Sequence, residues 1–121
     1  MAEGKFPCSD EGMVAAQAFL ESHCDEPKPA IIMDEIVSNI VRCSGAAEFS
    51  IGFERCGDDI EMTFMDNGRA FDPTVEIADP DITATAEKRK IGGLGIFLVK
   101  KMAKSVEYKR VGDSNRLVVK L

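Results

Sequence analysis

The sequence predicts an α+β fold, a two-layer α/β sandwich in which an antiparallel or mixed sheet carries helices on one face. Three observations lead there. Apolar and polar residues alternate with period two at 49–53, 60–66 and again between 106 and 121, as in half-buried strands, whereas residues 32–40 and 94–102 repeat apolar positions at one-turn helical spacing. The resulting order is strand, helix, helix, strand, strand, a long irregular segment, helix, strand, strand. Finally, 121 residues at 45% hydrophobic suit one domain, spanning 1–121, around one core.

Residues 5–7 leave room only for a short edge strand. Ser9 or Asp10 suits the N-cap of a first helix whose core-facing stripe is Met13, Val14, Phe19 and Leu20, with Ala15, Ala16 and Ala18 between them. Residues 25–29 break it. Pro29 fits the first turn of a second helix, because the N–H it lacks would have no intrahelical partner there. Ile32, Ile36 and Ile40 follow, and Gly45 ends the run as a helix C-terminal glycine does.

Phe49, Ile51 and Phe53 then alternate with Ser50, Gly52 and Glu54, and Gly57-Asp58-Asp59 reads as a hairpin turn. Ile60, Met62 and Phe64 lead directly into Asp66. From 69 to 91 the pattern fails: Pro73, Pro80, several acidic residues and Thr83 to Thr85 occupy a stretch far longer than the roughly 4 to 6 residues of an ordinary connection. A flexible lid over about 69–91 is expected. Leu94, Leu98 and Met102 resume helical spacing, with Lys100, Lys101 and Lys104 on the solvated side or near the C-terminal dipole. Val106 and Tyr108, then Leu117, Val119 and Leu121, alternate around Gly112-Asp113-Ser114 as a closing hairpin.

A net charge of −6 and a pI near 4.8 oppose direct nucleic-acid binding, which needs a basic surface. Cys8, Cys24, Cys43 and Cys56 form no Cys-x-x-Cys pair, and His23 is the one histidine, so neither a zinc site nor a thioredoxin-type motif is expected. Four reduced thiols follow. Residues 1–7 lack the pattern of a signal peptide and no apolar run reaches transmembrane length, so a cytoplasmic protein without membrane association is expected.

The residues able to carry chemistry fall in an ordered set. Glu35 and Asn39 share one helix face; taken alone they read first as a solvent-facing pair. As a site, Asn39 offers a hard carbonyl ligand for Mg²⁺ already held by phosphate, and Glu35 a base for an attacking hydroxyl or water. Asp66-Asn67-Gly68 resembles hairpin chemistry, yet 69–73 lacks the alternation of a returning strand, so the turn exposes Asp66. Such a carboxylate accepts the exocyclic amino hydrogen of adenine, which guanine does not present at that position.

Gly92-Gly93-Leu94-Gly95 opens an apolar helix, where glycine permits close approach of an oxyanion and first-turn N–H groups favour negative charge. A junction between lid and helix is the equal alternative. The set is neither a Walker loop nor a dinucleotide fingerprint. Lys88-Arg89-Lys90 immediately precedes it; such runs are usually solvated, but here Arg89 is placed to grip two phosphate oxygens.

Glu35-Ile-Val-Ser-Asn39, Asp66-Asn-Gly-Arg-Ala-Phe-Asp-Pro73, Gly92-Gly-Leu-Gly-Ile-Phe-Leu-Val-Lys-Lys101 and the segment from Tyr108 to Asn115-Arg-Leu resemble the N, G1 and G2 boxes of the GHKL ATPases. More narrowly, the chain resembles the bacterial anti-sigma factor serine/threonine kinases, on its short length and the lack of a phosphoacceptor domain. Cys43 stands where many relatives carry an aromatic residue or histidine, and Ala70 replaces the second glycine of the G1 box. Neither change removes a proposed ligand.

The resemblance implies a Bergerat-type histidine-kinase-like ATPase domain with ATP and Mg²⁺ as cofactors. It assigns catalysis to Glu35, Mg²⁺ to Asn39, adenine to Asp66 with Gly68 allowing close approach, and phosphate to Gly93 and Gly95. The implied function is an ATP-dependent kinase that phosphorylates a STAS-domain anti-anti-sigma protein and restrains a sigma factor, within a family where homodimers are common. A non-catalytic ATP/ADP-dependent protein-binding switch is the alternative. The detached catalytic half of a histidine kinase ranks last, because His23 lacks the dimerising helical hairpin of a phosphoacceptor.

Overall fold

The structure, a computed structural model, describes residues 2–70, 72 and 93–121. Five strands form one sheet in the order β1-β2-β3-β5-β4, where β1 is Ala2–Pro7, β2 Glu48–Cys56, β3 Asp59–Asp66, β4 Ser105–Val111 and β5 Ser114–Lys120. Every neighbouring pair is antiparallel, so the sheet is not mixed. The alternation in the sequence becomes the two faces of this sheet. Phe49, Ile51, Phe53, Ile60, Met62, Phe64, Leu117 and Val119 are buried in one cluster with the helix residues Ala16, Leu20, Ile32, Met33, Ile36, Val37 and Val99. Their outward neighbours, among them Ser50, Glu54, Thr63, Met65 and Arg116, are half-buried or exposed. Helices on one face of an antiparallel sheet are the expected two-layer arrangement.

The first helix, α1 (Asp10–Glu21), is capped by Ser9, whose side chain accepts from the N–H of Gly12 at 3.1 Å. Its core face runs through Ala16 and Leu20, and the expected stripe residue Val14 is 66% exposed. Two residues from Ala16 is about 200° around a helix, so Val14 and Ala16 cannot share the core. Helix α2 (Pro27–Asn39) begins two residues before the expected Pro29. Both prolines fit its first turn, where N–H groups have no intrahelical partner. Arg55 of β2 braces that start through an ion pair to Glu26 at 2.9 Å.

Helix α2 does not stop at Asn39. It runs on as a π-helical turn, Ile40–Ser44, ending at Gly45 with φ 70°. Helix α3 (Gly93–Met102) packs against α2 and buries Val99, while the expected stripe residue Leu98 is 42% exposed. Beyond α3, Lys104 pairs with Asp59 at the start of β3.

Both hairpins are tighter than the sequence suggested. Cys56 pairs with Asp59 and Val111 with Ser114, which leaves two-residue loops, Gly57-Asp58 and Gly112-Asp113. In each, glycine holds the positive φ (64° and 59°) at the first position, the type II′ pattern that matches the twist of the flanking strands. Strand β1 is six residues long, not three, because its register from Ala2↔Phe53 to Pro7↔Glu48 is set by β2.

Candidate functional site

Asp66 is the last residue of β3 and, against the expectation that its turn exposes it, is buried at 8% exposure. Period two carries it inward after Met62 and Phe64, so the strand delivers a carboxylate to the edge of the core. Its Oδ1 accepts the N–H of Gly68 at 2.9 Å, an Asx turn closed by the side chain, and the amide of Asn115 at 3.0 Å. Asp66 thus ends the strand, and among the described residues no hairpin strand returns from this turn. The neighbour of β3 on that side is β5, where Asn115 pairs opposite Asp66.

Gly68 does not use positive φ. Glycine is required there because a Cβ would lie 2.7 Å from the Cβ of Ser44 and 2.8 Å from its carbonyl carbon, nearer than side chains tolerate. The Ser44 carbonyl accepts the N–H of Arg69 at 2.9 Å, and the Arg69 guanidinium donates to the carbonyl of Cys43 at 3.0 Å. Ser44 is buried, with its hydroxyl donating to the Ile40 carbonyl at 2.7 Å and accepting from the N–H of Ala46 at 3.0 Å. The π-helical turn after Asn39 and the turn after Asp66 are therefore fastened together.

Asn39 is 4% exposed at the end of α2, and its Nδ2 has no hydrogen-bond partner among the described residues. Leaving a buried amide unpaired costs roughly 1–3 kcal/mol, so an amide kept in that state is suited to a ligand. Its carbonyl oxygen is the hard donor that Mg²⁺ takes beside phosphate oxygens. Among the described residues no cluster of three or more His, Cys, Asp or Glu is placed to hold a metal. The donor set fits a cation that brings phosphate as its main ligand. Glu35 lies one turn earlier on α2, half-buried.

Gly93, Leu94 and Gly95 form the first turn of α3. Their backbone opens a helix, as the sequence suggested, and that helix packs against α2. Arg89, Gly92 and the expected lid, apart from residues 69, 70 and 72, lie outside the described residues.

Three residues to which the sequence assigned no site role stand beside Asp66: Asn115, Tyr108 and Arg110. Asn115, 5% exposed, donates to Asp66 and to the Arg69 carbonyl at 2.8 Å, and accepts from the Tyr108 hydroxyl and from Arg110 at 3.2 Å. A signal for it was present. Asn115 has the same parity as Leu117 and Val119, so it is a polar residue at an inward strand position. Cys8 also borders this region. Burial, with the charges of Asp66 and Glu48 adding, pushes its thiol above the ordinary value.

Compared with known families, residues 13–121 match the histidine kinase-like ATPase domain. The chain belongs to that family. Domains of this family bind ATP, typically with Mg²⁺. The ATPase domain is also similar in structure to the Acinetobacter baumannii histidine kinase AdeS, with a TM-score of 0.54 and 15% sequence identity. That likeness covers 100% of this chain and 67% of the other, and at this identity it speaks for the fold. No curated protein matches the ATPase domain by sequence. Among the described residues, no helix is long and apolar enough to cross a membrane.

Proposed function

We propose that this ATPase domain is a MgATP-dependent protein serine/threonine kinase that phosphorylates a STAS-domain anti-anti-sigma protein and restrains a sigma factor. The observation that carries the nucleotide part is the buried amide of Asn39, whose Nδ2 has no partner among the described residues and which is tied through Ser44 to the turn that presents Asp66. In this reading Asp66 accepts the adenine amino group, Gly68 lets the base approach, and Asn39 holds Mg²⁺. The α3 N-terminus, with Gly92, Gly93, Leu94 and Gly95, and Arg89 receive the phosphates. The cation supplies charge neutralisation to the phosphoryl group when bound.

Glu35 favours a kinase over a passive switch. Phosphoryl transfer needs little beyond positioning and electrostatic stabilisation, but a carboxylate one turn before the metal ligand is placed to take the hydroxyl proton of a partner serine. The three boxes support the ATP-binding fold, and the anti-sigma role rests on the narrower resemblance of the sequence to that kinase group. It implies a sigma factor as second partner and a homodimer as the assembly.

The test is direct. The purified chain is incubated with labelled ATP, Mg²⁺ and candidate anti-anti-sigma proteins from the same genome, and label on a partner serine is the expected result. Absence of transfer, together with partner affinity that differs between ADP and ATP, makes the domain a non-catalytic nucleotide switch instead.

A further inference from the structure

The two oxygens of Asp66 are not equivalent. Oδ1 receives two N–H groups from different parts of the fold, Gly68 in the turn after β3 and Asn115 in β5. No described residue donates to Oδ2. A terminal carboxylate torsion is normally broad, so a lone Asp at a strand end would present either oxygen over a range of directions. Here rotation breaks two bonds at once.

The donor in β5 is itself held. The Asn115 amide uses both hydrogens, toward Asp66 and the Arg69 carbonyl, and both carbonyl lone pairs, toward Tyr108 and Arg110. Turned by 180°, it would set its carbonyl against two acceptors and its NH₂ against the Arg110 guanidinium, which cannot accept. One orientation remains. Arg110 also donates to the carbonyl of Gly68 at 2.8 Å, so one guanidinium braces both donors of Asp66.

We propose that Asn115, locked by Tyr108 and Arg110 of β4, is the positioning residue that aims Oδ2 of Asp66 and so sets the base selectivity of the nucleotide site. The inference rests on the reading of Asp66 as the adenine acceptor. A purine with a 6-amino group donates to a fixed Oδ2, one lacking that group leaves it unpaired, and a 6-oxo purine opposes it. A site built around one hydrogen bond rejects the analogue without it only when the acceptor cannot turn away.

The experiment measures binding of ATP, purine riboside triphosphate (which lacks the 6-amino group) and GTP to the full chain, by calorimetry. The parent is compared with Asn115→Leu, Tyr108→Phe and Asp66→Asn. Expected is a fall in the ratio of ATP to purine riboside triphosphate affinity of about tenfold in Asn115→Leu, the scale of one lost hydrogen bond. Tyr108→Phe keeps the ring and shifts the ratio the same way by a smaller factor. General loosening would weaken all three nucleotides together and leave the ratio alone.

If Asp66→Asn collapses the ratio but Asn115→Leu and Tyr108→Phe keep the parental one, Asp66 is selective without this support and the inference is overturned. If Asp66→Asn itself keeps the parental ratio, the adenine reading has failed and the inference falls with it. Should Asn115→Leu not fold, Tyr108→Phe decides alone.

Discussion

The backbone N–H of Arg69 donates to the carbonyl of Ser44 at 2.9 Å, and this bond joins the end of α2 and its π-helical turn to the end of β3. The two segments are far apart in sequence and each carries one proposed ligand, Asn39 and Asp66. Gly68 lets them meet, since any side chain there would strike Ser44.

Gly68→Ala therefore forces the junction apart. Overpacking of this kind costs roughly 1–3 kcal/mol, and the loss is expected both in the denaturant midpoint and in nucleotide affinity. Urea unfolding checks the first and calorimetry the second. An unchanged midpoint would show that the two segments separate freely.

Asn39→Ala removes an amide whose Nδ2 makes no hydrogen bond among the described residues, so little folding stability depends on it. The expected result is a near-parental unfolding midpoint with the Mg²⁺-dependent part of ATP affinity lost. Titrations of ATP with Mg²⁺ and with EDTA measure that part. A variant that binds MgATP like the parent takes Asn39 out of the metal site.

Glu35→Gln keeps shape and removes the base. Loss of a positioned base lowers transfer by roughly 10² to 10⁴, while ATP affinity stays near parental. Single-turnover transfer to the partner serine, beside ATP titration, separates the two effects. Transfer at the parental rate would clear Glu35 of the role.

Cysteine reactivity reports on the fold near the site. Cys56 is exposed, whereas burial and the neighbouring carboxylates of Asp66 and Glu48 hold the Cys8 thiol above the ordinary range, and the thiolate is the reactive form. Iodoacetamide at pH 8 is expected to modify Cys56 well before Cys8, with mass spectrometry of the peptides as the readout. The same shift has a stability sign. A thiol whose folded value lies above its unfolded one contributes stability below the ordinary thiol range, and that contribution is lost as pH rises through the folded value. Unfolding midpoints that fall at alkaline pH in the parent, and less in Cys8→Ala, are expected.

Strand and helix identity, the inward faces of β2 to β5, and the arrival of Asp66 at a strand end were legible in the sequence, although its turn read as exposing the carboxylate that the structure buries. Local periodicity carries them: once Met62 and Phe64 face the core, period two sends Asp66 inward, whatever the strand's neighbours are. The prolines at 27 and 29, and Gly57 and Gly112 in the hairpins, act through their own backbone limits and are equally local. What the sequence left open are the relationships between distant segments. Insertion of β5 between β3 and β4 brings Asn115 opposite Asp66, 49 residues away, and no local pattern encodes that neighbour. The six-residue length of β1 and the meeting of Gly68 with Ser44 are of the same kind. Backbone pairing and close packing are settled by the surface a segment meets, and only the folded chain supplies that surface.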